Sequence, residues 1–244
     1  MSERPEAGVR VRLWDWPVRI CHWAFVILLP LQWWTYKQGA MAWHERLGLF
    51  VLALVLFRIL WGLFGPETAR FSRFVKGPGA ILAYVRGRSA PVLGHNPVGA
   101  LSVIVLLGLL AAQVSVGLIT QDVDGLESGP LARWVSYETA DSARAWHGLI
   151  FNLLLGFVAL HVAAVLYYLA VKRDNLIGPM VTGYRRFLVP VNAPRFAPLW
   201  RLALAILLAA GFAYWVSRGA PIPGVEPAPA SDPYALVITE RHRA

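Results

Sequence analysis

Residues 144–173, RAWHGLIFNLLLGFVALHVAAVLYYLAVKR, decide the fold of this chain. The run is apolar between basic residues at its two ends, and a membrane-spanning helix needs about 20 such residues. It therefore predicts one helix that crosses a bilayer. The helix carries His147 and His161, fourteen residues apart. At 3.6 residues per turn this spacing is nearly four turns, so both imidazoles leave the same face about 21 Å apart.

An imidazole inside the hydrocarbon must be paired, solvated or bound to a metal ion. Two imidazoles in register, one near each membrane surface, favour two metal centres stacked across the bilayer. The alternative is that one or both are buried histidines that form hydrogen bonds with a neighbouring helix. This helix alone leaves both interpretations open.

The composition indicates a membrane protein. Hydrophobic residues make up 57% of the 244 residues and charged residues 15%, whereas about 25% charged residues is usual in soluble domains. Eleven Trp and eight Tyr suit aromatic belts at two interfaces. The single cysteine, Cys21, excludes an internal disulfide, and the chain lacks the C-x-x-C-H motif of covalent haem attachment. The polar, basic start predicts an uncleaved first span rather than a signal peptide.

The apolar runs predict five membrane spans. They cover about residues 18–34, 43–64, 97–119, 144–173 and 199–216. We expect an all-α integral membrane bundle, with a four-helix core and a fifth transmembrane helix. The loop after the second span has room for one interfacial helix near residues 80–85, and the tail is expected to be extended. The predicted divisions are an N-terminal segment (1–18), a four-helix core (19–175), a connector (176–198), the fifth helix (199–217) and a Pro-rich tail (218–244).

The distribution of Lys and Arg predicts the orientation. Fifteen of these residues lie in the N-terminal segment, in the loop after the second span and around the connector. The positive-inside rule places those segments and the N-terminus in the cytoplasm. The acidic segment 120–143 and the C-terminal tail then lie on the outer side of the membrane. The net charge of +9 reflects this topology, so no nucleic-acid binding is expected.

Four histidines fall at two predicted depths. His22 lies near the cytoplasmic end of the first span and His44 near the outer end of the second. This placement predicts an inner pair, His22 with His161, and an outer pair, His44 with His147. Two facing imidazoles in a bundle core suit the axial positions of a haem iron, while zinc or di-iron sites take three or four ligands that include carboxylates or thiolates. The pattern favours two bis-His haems b over structural histidines, with all four as iron ligands.

Arg58 is a further candidate cofactor-binding residue. It follows His44 by fourteen residues, so it returns to the same helix face at the depth of the inner pair. A haem carries two propionates, which need cationic or hydrogen-bonding partners. The alternative is that Arg58 extends along the helix toward the cytoplasm. The sequence leaves these two interpretations of Arg58 open.

The remaining polar candidates have weaker patterns. Gln113 and Ser115 in the third span either face a quinone or, more simply, form interhelical hydrogen bonds. His95 lies in a predicted cytoplasmic loop and His242 in the tail, and neither is assigned as a ligand. No residue is expected to act as a catalytic acid or base.

Three segments resemble the bacterial cytochrome b561 family, which is itself similar to the b-type cytochrome subunits of nickel-iron hydrogenases. They are WDWPVRICHW at 14–23, WHERLGL at 43–49, and WHGLIFNLLLGFVALHVAA at 146–164, which KRDN follows at 172–175. The resemblance covers about residues 12–190. It implies a four-helix core that binds two haems b through the matching histidines His22, His44, His147 and His161.

The resemblance also implies a location, the bacterial inner membrane with the outer side in the periplasm, and a function. Members of the family exchange electrons between the quinone pool of a respiratory chain and a periplasmic or membrane-attached partner, such as a cytochrome c or a dehydrogenase or hydrogenase subunit. The fifth span and the tail depart from the four-helix members. Two alternatives therefore stay open: a superoxide:quinone oxidoreductase that acts alone, and a membrane anchor subunit of a hydrogenase- or dehydrogenase-like complex. The acidic segment 120–143 counts against an anion-attracting funnel. The pattern leaves oligomeric state and direction of electron flow open.

Overall fold

The computed structural model describes residues 8–88, 94–122, 127–187 and 191–226. Structural statements below concern these ranges. The predictions for the first seven residues, for Asp124 in the acidic segment, and for most of the tail with His242 lie outside the described residues.

The described chain is a helical bundle, which confirms the predicted all-α membrane fold. Four helices are long and apolar enough to cross a membrane, namely α2, α5, α6 and α8. A small antiparallel sheet and short helices flank them. The elements are β1 Val9–Arg12, α1 Trp16–Lys37, α2 Met41–Phe64, α3 Phe71–Phe74, α4 Pro78–Val85, α5 Pro97–Gly117, α6 Tyr137–Ala170, α7 Ile177–Thr182, β2 Tyr184–Phe187 and α8 Leu199–Ser217.

The side chain of Asp15 caps the N-terminus of helix α1. The Asp15 side chain accepts a hydrogen bond from the Val18 backbone N–H at 3.2 Å, and Pro17 occupies the first turn, where its missing N–H costs nothing. The other Asp15 oxygen accepts from Trp61 Nε1 at 2.8 Å. The cap thus ties the start of α1 to the end of α2. With 22 residues α1 has the length of a span, but it contains Arg19 and other polar residues, so its crossing stays a prediction.

Helix α6 is longer than the apolar run predicted. It begins at Tyr137, seven residues before Arg144, because Ser136 caps it by accepting from the Thr139 N–H at 3.3 Å. Its 34 residues correspond to about 51 Å, which exceeds the roughly 30 Å of hydrocarbon. Its first turns are polar and carry Glu138. Helix α6 therefore projects from the apolar layer at its N-terminal end, where hydropathy carries no signal.

The core joins four helices. Its buried members come from α1, α2, α5 and α6, and they are Leu28, Val51, Val55, Leu107, Leu110 and Leu154. Helix α8 packs on a different side of α2. Small side chains, Ala205, Ala209 and Ala213, form its buried face, which lets two backbones approach closely in a membrane.

One end of the bundle is held by an unpredicted strand pair. Strand β1 pairs with β2 in antiparallel register, from Val9 opposite Phe187 to Arg12 opposite Tyr184. Gly183, at φ 86°, ends α7, and its carbonyl accepts from the Leu13 N–H at 2.8 Å. The chain before α1 and the chain after α6 therefore meet at the same end of the bundle. Alternation in VRVR was the available signal, but four residues without a nearby partner do not specify a strand.

The opposite end joins the α5–α6 connection to the exit of α8. Arg133 Nη2 and Trp134 Nε1 donate to the Gly219 carbonyl at 2.9 and 2.8 Å. The Leu131 N–H donates to the Leu118 carbonyl at 2.8 Å. These contacts hold the described part of the acidic segment against the bundle.

The α2–α8 interface gives a stability prediction. Ala209 is 3% exposed between these helices, so Ala209→Leu should overpack the contact and lower the free energy of unfolding by about 1–3 kcal/mol. Thermal unfolding followed by tryptophan fluorescence in detergent measures the change. Ala203→Leu is the control, because Ala203 is exposed on the same helix. Equal melting temperatures for the two variants would contradict this packing.

Candidate functional site

Two histidines meet at the end of the bundle near the α5–α6 connection. His44 lies in the first turn of α2 and His147 in the first half of α6, and their ring centroids are 6.3 Å apart with an interplanar angle of 79°. Two imidazole nitrogens that each bind one metal ion at about 2 Å place their ring centroids about 6 Å apart. The observed separation therefore suits two axial ligands of one metal ion.

Hydrogen bonds fix the tautomer of both rings. His44 Nδ1 lies 3.0 Å from the Gln32 carbonyl oxygen, and His147 Nδ1 lies 3.0 Å from the Gln113 carbonyl oxygen. A carbonyl only accepts, so each Nδ1 carries the proton and donates it. Each Nε2 is then unprotonated and carries the lone pair that a metal would use, although at His147 this lone pair accepts from the Gln113 side-chain amide, which a bound metal would displace. Ligating histidines usually make this kind of Nδ1–H bond to a carbonyl, which orients the ring.

Helix α5 supports His147 in two further ways. The Gln113 side-chain amide donates to His147 Nε2 at 3.1 Å, so Gln113 makes the interhelical hydrogen bond that was the simpler expectation for it. A Cβ atom at Gly117 would lie 2.8 Å from His147 Cε1, so a larger residue there would displace the ring. Gly117 was missed, because a glycine in an apolar run has no local signal. Ser115 is exposed on another face of α5.

The other two histidines lie toward the end that carries the strand pair. His22 is on α1 and His161 on α6. Ser102 on α5 lies 3.2 Å from His161 Nδ1, which leaves His161 Nε2 available when Ser102 accepts that proton. His22 Nδ1 is buried and has no hydrogen-bond partner among the described residues.

The donor set around each pair is purely nitrogen. Within the described ranges, no three side chains of His, Cys, Asp or Glu come together in a way that could hold a metal ion. A site of two facing imidazoles without carboxylates fits an iron whose other ligands come from a macrocycle. It does not fit a zinc or di-iron centre.

Arg58 is buried in α2, with 8% of its surface exposed. Its guanidinium carbon lies 5.2 Å from the centroid of the Phe71 ring, a cation–π contact, and its Nη1 has no hydrogen-bond partner among the described residues. Asp15 is the nearby carboxylate, but its two oxygens already accept from Val18 and Trp61. The guanidinium therefore keeps a free donor within the protein.

His95 is a residue whose position the sequence analysis missed. Its ring packs against the bundle, 4.6 Å from both the Trp14 and the Phe74 rings. Desolvation, followed by the charges of Arg58 and His161, lowers the pKa of His95 to about 3. The imidazole is therefore neutral at pH 7. No local pattern in Gly94–Asn96 indicates this packing, because its partners are distant in sequence.

The comparisons with known proteins agree with this architecture. A family model described as prokaryotic cytochrome b561 matches residues 13–183. The chain is also 24% identical to a protein of Bradyrhizobium diazoefficiens named as a probable Ni/Fe-hydrogenase B-type cytochrome subunit, over 76% of this chain and 90% of that protein. No solved structure matches the chain.

A helical membrane bundle with histidines facing each other in its interior has the architecture of a b-type cytochrome. The family model covers well over half of the chain, and the chain belongs to the prokaryotic cytochrome b561 family. Membership implies haem b as a cofactor and electron transfer through the membrane as the general activity. The outer imidazoles fit haem b, because their separation and their Nδ1–H bonds match axial ligation.

Ser102 gives a prediction for the inner pair. Ser102→Ala removes the hydroxyl 3.2 Å from His161 Nδ1, and loss of such a supporting hydrogen bond typically lowers metal affinity by about 10–100-fold. We expect faster loss of haem to excess apomyoglobin, measured by absorbance. Ser115→Ala on the same helix is the control and should release haem at the wild-type rate. Equal rates in both variants would remove Ser102 from the site.

Proposed function

We propose that the protein carries electrons across the bacterial inner membrane through two haems b. His22 and His161 would ligate the inner haem, and His44 and His147 the outer haem. The outer geometry carries the proposal, because both rings present Nε2 while Nδ1 donates to a carbonyl. The inner pair is supported by the same helix, since His161 follows His147 on α6 by about 21 Å.

The residues of the chain would hold and insulate this path. Haem b supplies one-electron redox chemistry at its iron. The four imidazoles bind it, and the carbonyls of Gln32 and Gln113 orient the outer rings. Between the two levels, the apolar core of α1, α2, α5 and α6 excludes water. No catalytic acid or base is required for transfer of an electron between two such levels.

Arg58 would serve the inner haem. Its guanidinium is buried at the inner level and keeps Nη1 without a partner among the described residues. A propionate carboxylate would satisfy this donor and neutralise the buried charge, which is costly when unpaired. This supports Arg58 as a cofactor-binding residue.

The topology would place the N-terminus in the cytoplasm and the C-terminus in the periplasm. Strands β1 and β2 pair, so an even number of crossings must separate them. Helices α2, α5 and α6 supply three, and α1 supplies the fourth. The basic segments gather at the strand-pair end, which supports a cytoplasmic position for that end. Helix α8 then returns the chain to the periplasmic side as the fifth span.

The electrons would pass between a quinone and a redox protein in the periplasm or attached to the membrane. The relative named as a hydrogenase subunit supports a hydrogenase- or dehydrogenase-like partner. The acidic periplasmic segment also suits a basic partner such as a cytochrome c; its described acidic residues are Asp122, Glu127, Glu138 and Asp141. This would place the protein in a respiratory chain.

A second candidate is an anchor role for the fifth helix. While α8 buries small residues against α2, its other face exposes Trp200, Leu207 and Tyr214. A partner's membrane helix would fit this face, and the relative's name as a subunit favours such an assembly. Deletion of residues 199–244 separates the two roles, because a pure anchor would lose its partner while the haem spectrum stays intact.

The haem content tests the main proposal. We expect two haems b per chain from a pyridine haemochrome spectrum with a protein assay. His22→Ala and His161→Ala should each leave one haem, and their combination should also leave one, because both bind the same iron. His44→Ala combined with His161→Ala should leave none.

The two double variants are controls for each other, because each lacks two histidines and they differ only in whether the two belong to one proposed pair. Two haems lost from His22→Ala with His161→Ala would mean that these residues serve different irons. Colourless wild-type protein would refute haem ligation altogether.

Electron exchange distinguishes the conduit from an enzyme that acts alone. Protein in nanodiscs, reduced with dithionite and then freed of it, should be reoxidised by a soluble quinone, as followed by the haem absorbance. The acidic periplasmic surface should repel superoxide. When xanthine oxidase generates superoxide in the presence of quinone, nanodiscs that contain the protein should therefore consume it no faster than protein-free nanodiscs. Rapid consumption that depends on quinone would favour the superoxide:quinone oxidoreductase.

A further inference from the structure

Buried polar atoms without partners are concentrated at the inner end of the bundle. Among the described residues, the following have no hydrogen-bond partner there: His22 Nδ1, Arg58 Nη1, Thr68 Oγ1, Arg70 Nε and His95 Nδ1. The two others, Gln32 Oε1 and Gln113 Oε1, belong to the outer level and are acceptors. Each buried polar group without a partner costs about 1–3 kcal/mol. Arg58 Nη1 and Arg70 Nε are donors and the other three atoms can donate, so the cluster indicates a ligand that brings acceptors.

Three of these residues are linked by a continuous set of contacts. The Arg58 guanidinium lies 5.2 Å from the Phe71 ring, Phe71 lies 5.8 Å from Phe74, and Phe74 lies 4.6 Å from His95. Thr68 lies next to Gly94, the residue that precedes His95. A Cβ atom added to Gly94 would be 4.0 Å from Thr68 Cγ2. Aromatic rings thus hold Arg58, Thr68 and His95 around one region.

The charge of this region is positive. Arg58 contributes a buried guanidinium, and Arg70 a second, partly buried one. The neighbouring carboxylate, Asp15, accepts from the Val18 N–H and Trp61 Nε1 and offsets one of these two charges. The His95 imidazole is neutral, because desolvation and Arg58 oppose its protonation. The region therefore offers hydrogen-bond donors and a net positive charge, which is the chemistry that binds a carboxylate.

We propose that Arg58, Thr68 and His95 form one anion pocket that binds the propionate carboxylates of the inner haem. The proposal rests on the inner haem of the proposed function and extends it to two residues outside the membrane-spanning helices. The His95 ring lies 4.6 Å from Trp14, just before α1, the helix that carries His22, so the pocket borders the inner site and His95 would cover its cytoplasmic edge.

Haem and haem dimethyl ester separate carboxylate recognition from general packing. The full-length His147→Ala variant, freed of haem in nanodiscs, retains only the proposed inner site and is titrated with each compound. The bound spectrum and quenching of tryptophan fluorescence give the two affinities. A charge-assisted hydrogen bond contributes enough that haem should bind about 10–100-fold more tightly than its ester.

The pocket predicts a specific pattern in variants. Arg58→Met should lower the affinity for haem by about tenfold or more and leave the affinity for the ester unchanged. His95→Leu should do the same to a smaller extent, and it carries the test if Arg58→Met does not fold. Arg46→Met is the matched control, because Arg46 is on the same helix but exposed at the outer end. It should change neither affinity.

Other results would overturn the pocket. Equal losses of affinity for haem and ester would mean that Arg58 and His95 only support the fold. Inorganic phosphate that raises the melting temperature of the haem-free protein through Arg58, with no difference between haem and ester, would indicate a site for a free anion instead. Failure of the His147→Ala protein to bind either compound would refute the inner haem itself, and with it the proposed function.

Discussion

The spacing of two histidines on one membrane helix is the constraint on which the rest of the structure depends. An imidazole in hydrocarbon must find a partner, and α6 carries two of them about four turns apart. The other core helices place partner side chains at two levels along α6. Helix α2 brings His44 within 6.3 Å of His147, and α1 carries His22 toward the same end of the bundle as His161. Helix α5 has no histidine, yet it supplies hydrogen-bond partners at both levels, through Gln113 and Ser102.

Much of the fold was predictable because apolar length and charge placement are properties of the sequence itself. The helical membrane bundle and the long helices α2, α5, α6 and α8 follow from runs of about 20 apolar residues. Two features were not predictable. The start of α6 depends on the Ser136 cap and polar first turns, which hydropathy does not register. The β1–β2 pair depends on two four-residue strands from distant parts of the chain, and neither specifies its partner.

Only some residues of the candidate site were predictable from the sequence. The histidines were found because helical periodicity places them in register, and Arg58 because it repeats that spacing from His44. Gly117, Ser102 and His95 were not found. Gly117 matters because of the room it leaves for a ring on another helix, and Ser102 because of the helix that faces it. Such roles arise only from packing between helices, which one sequence does not encode locally.

The strand pair also orders events while the protein is made. Strand β1 leaves the ribosome before every helix of the bundle, but β2 follows the whole of α6. The ribbon can therefore close only after both helical hairpins of the core have been threaded into the lipid. Strand β2 precedes α8 in the chain, so both strands are synthesised before α8 is. A contact between segments so far apart in the chain forms slowly. It therefore joins the two ends of the core only after α1, α2, α5 and α6 have been made.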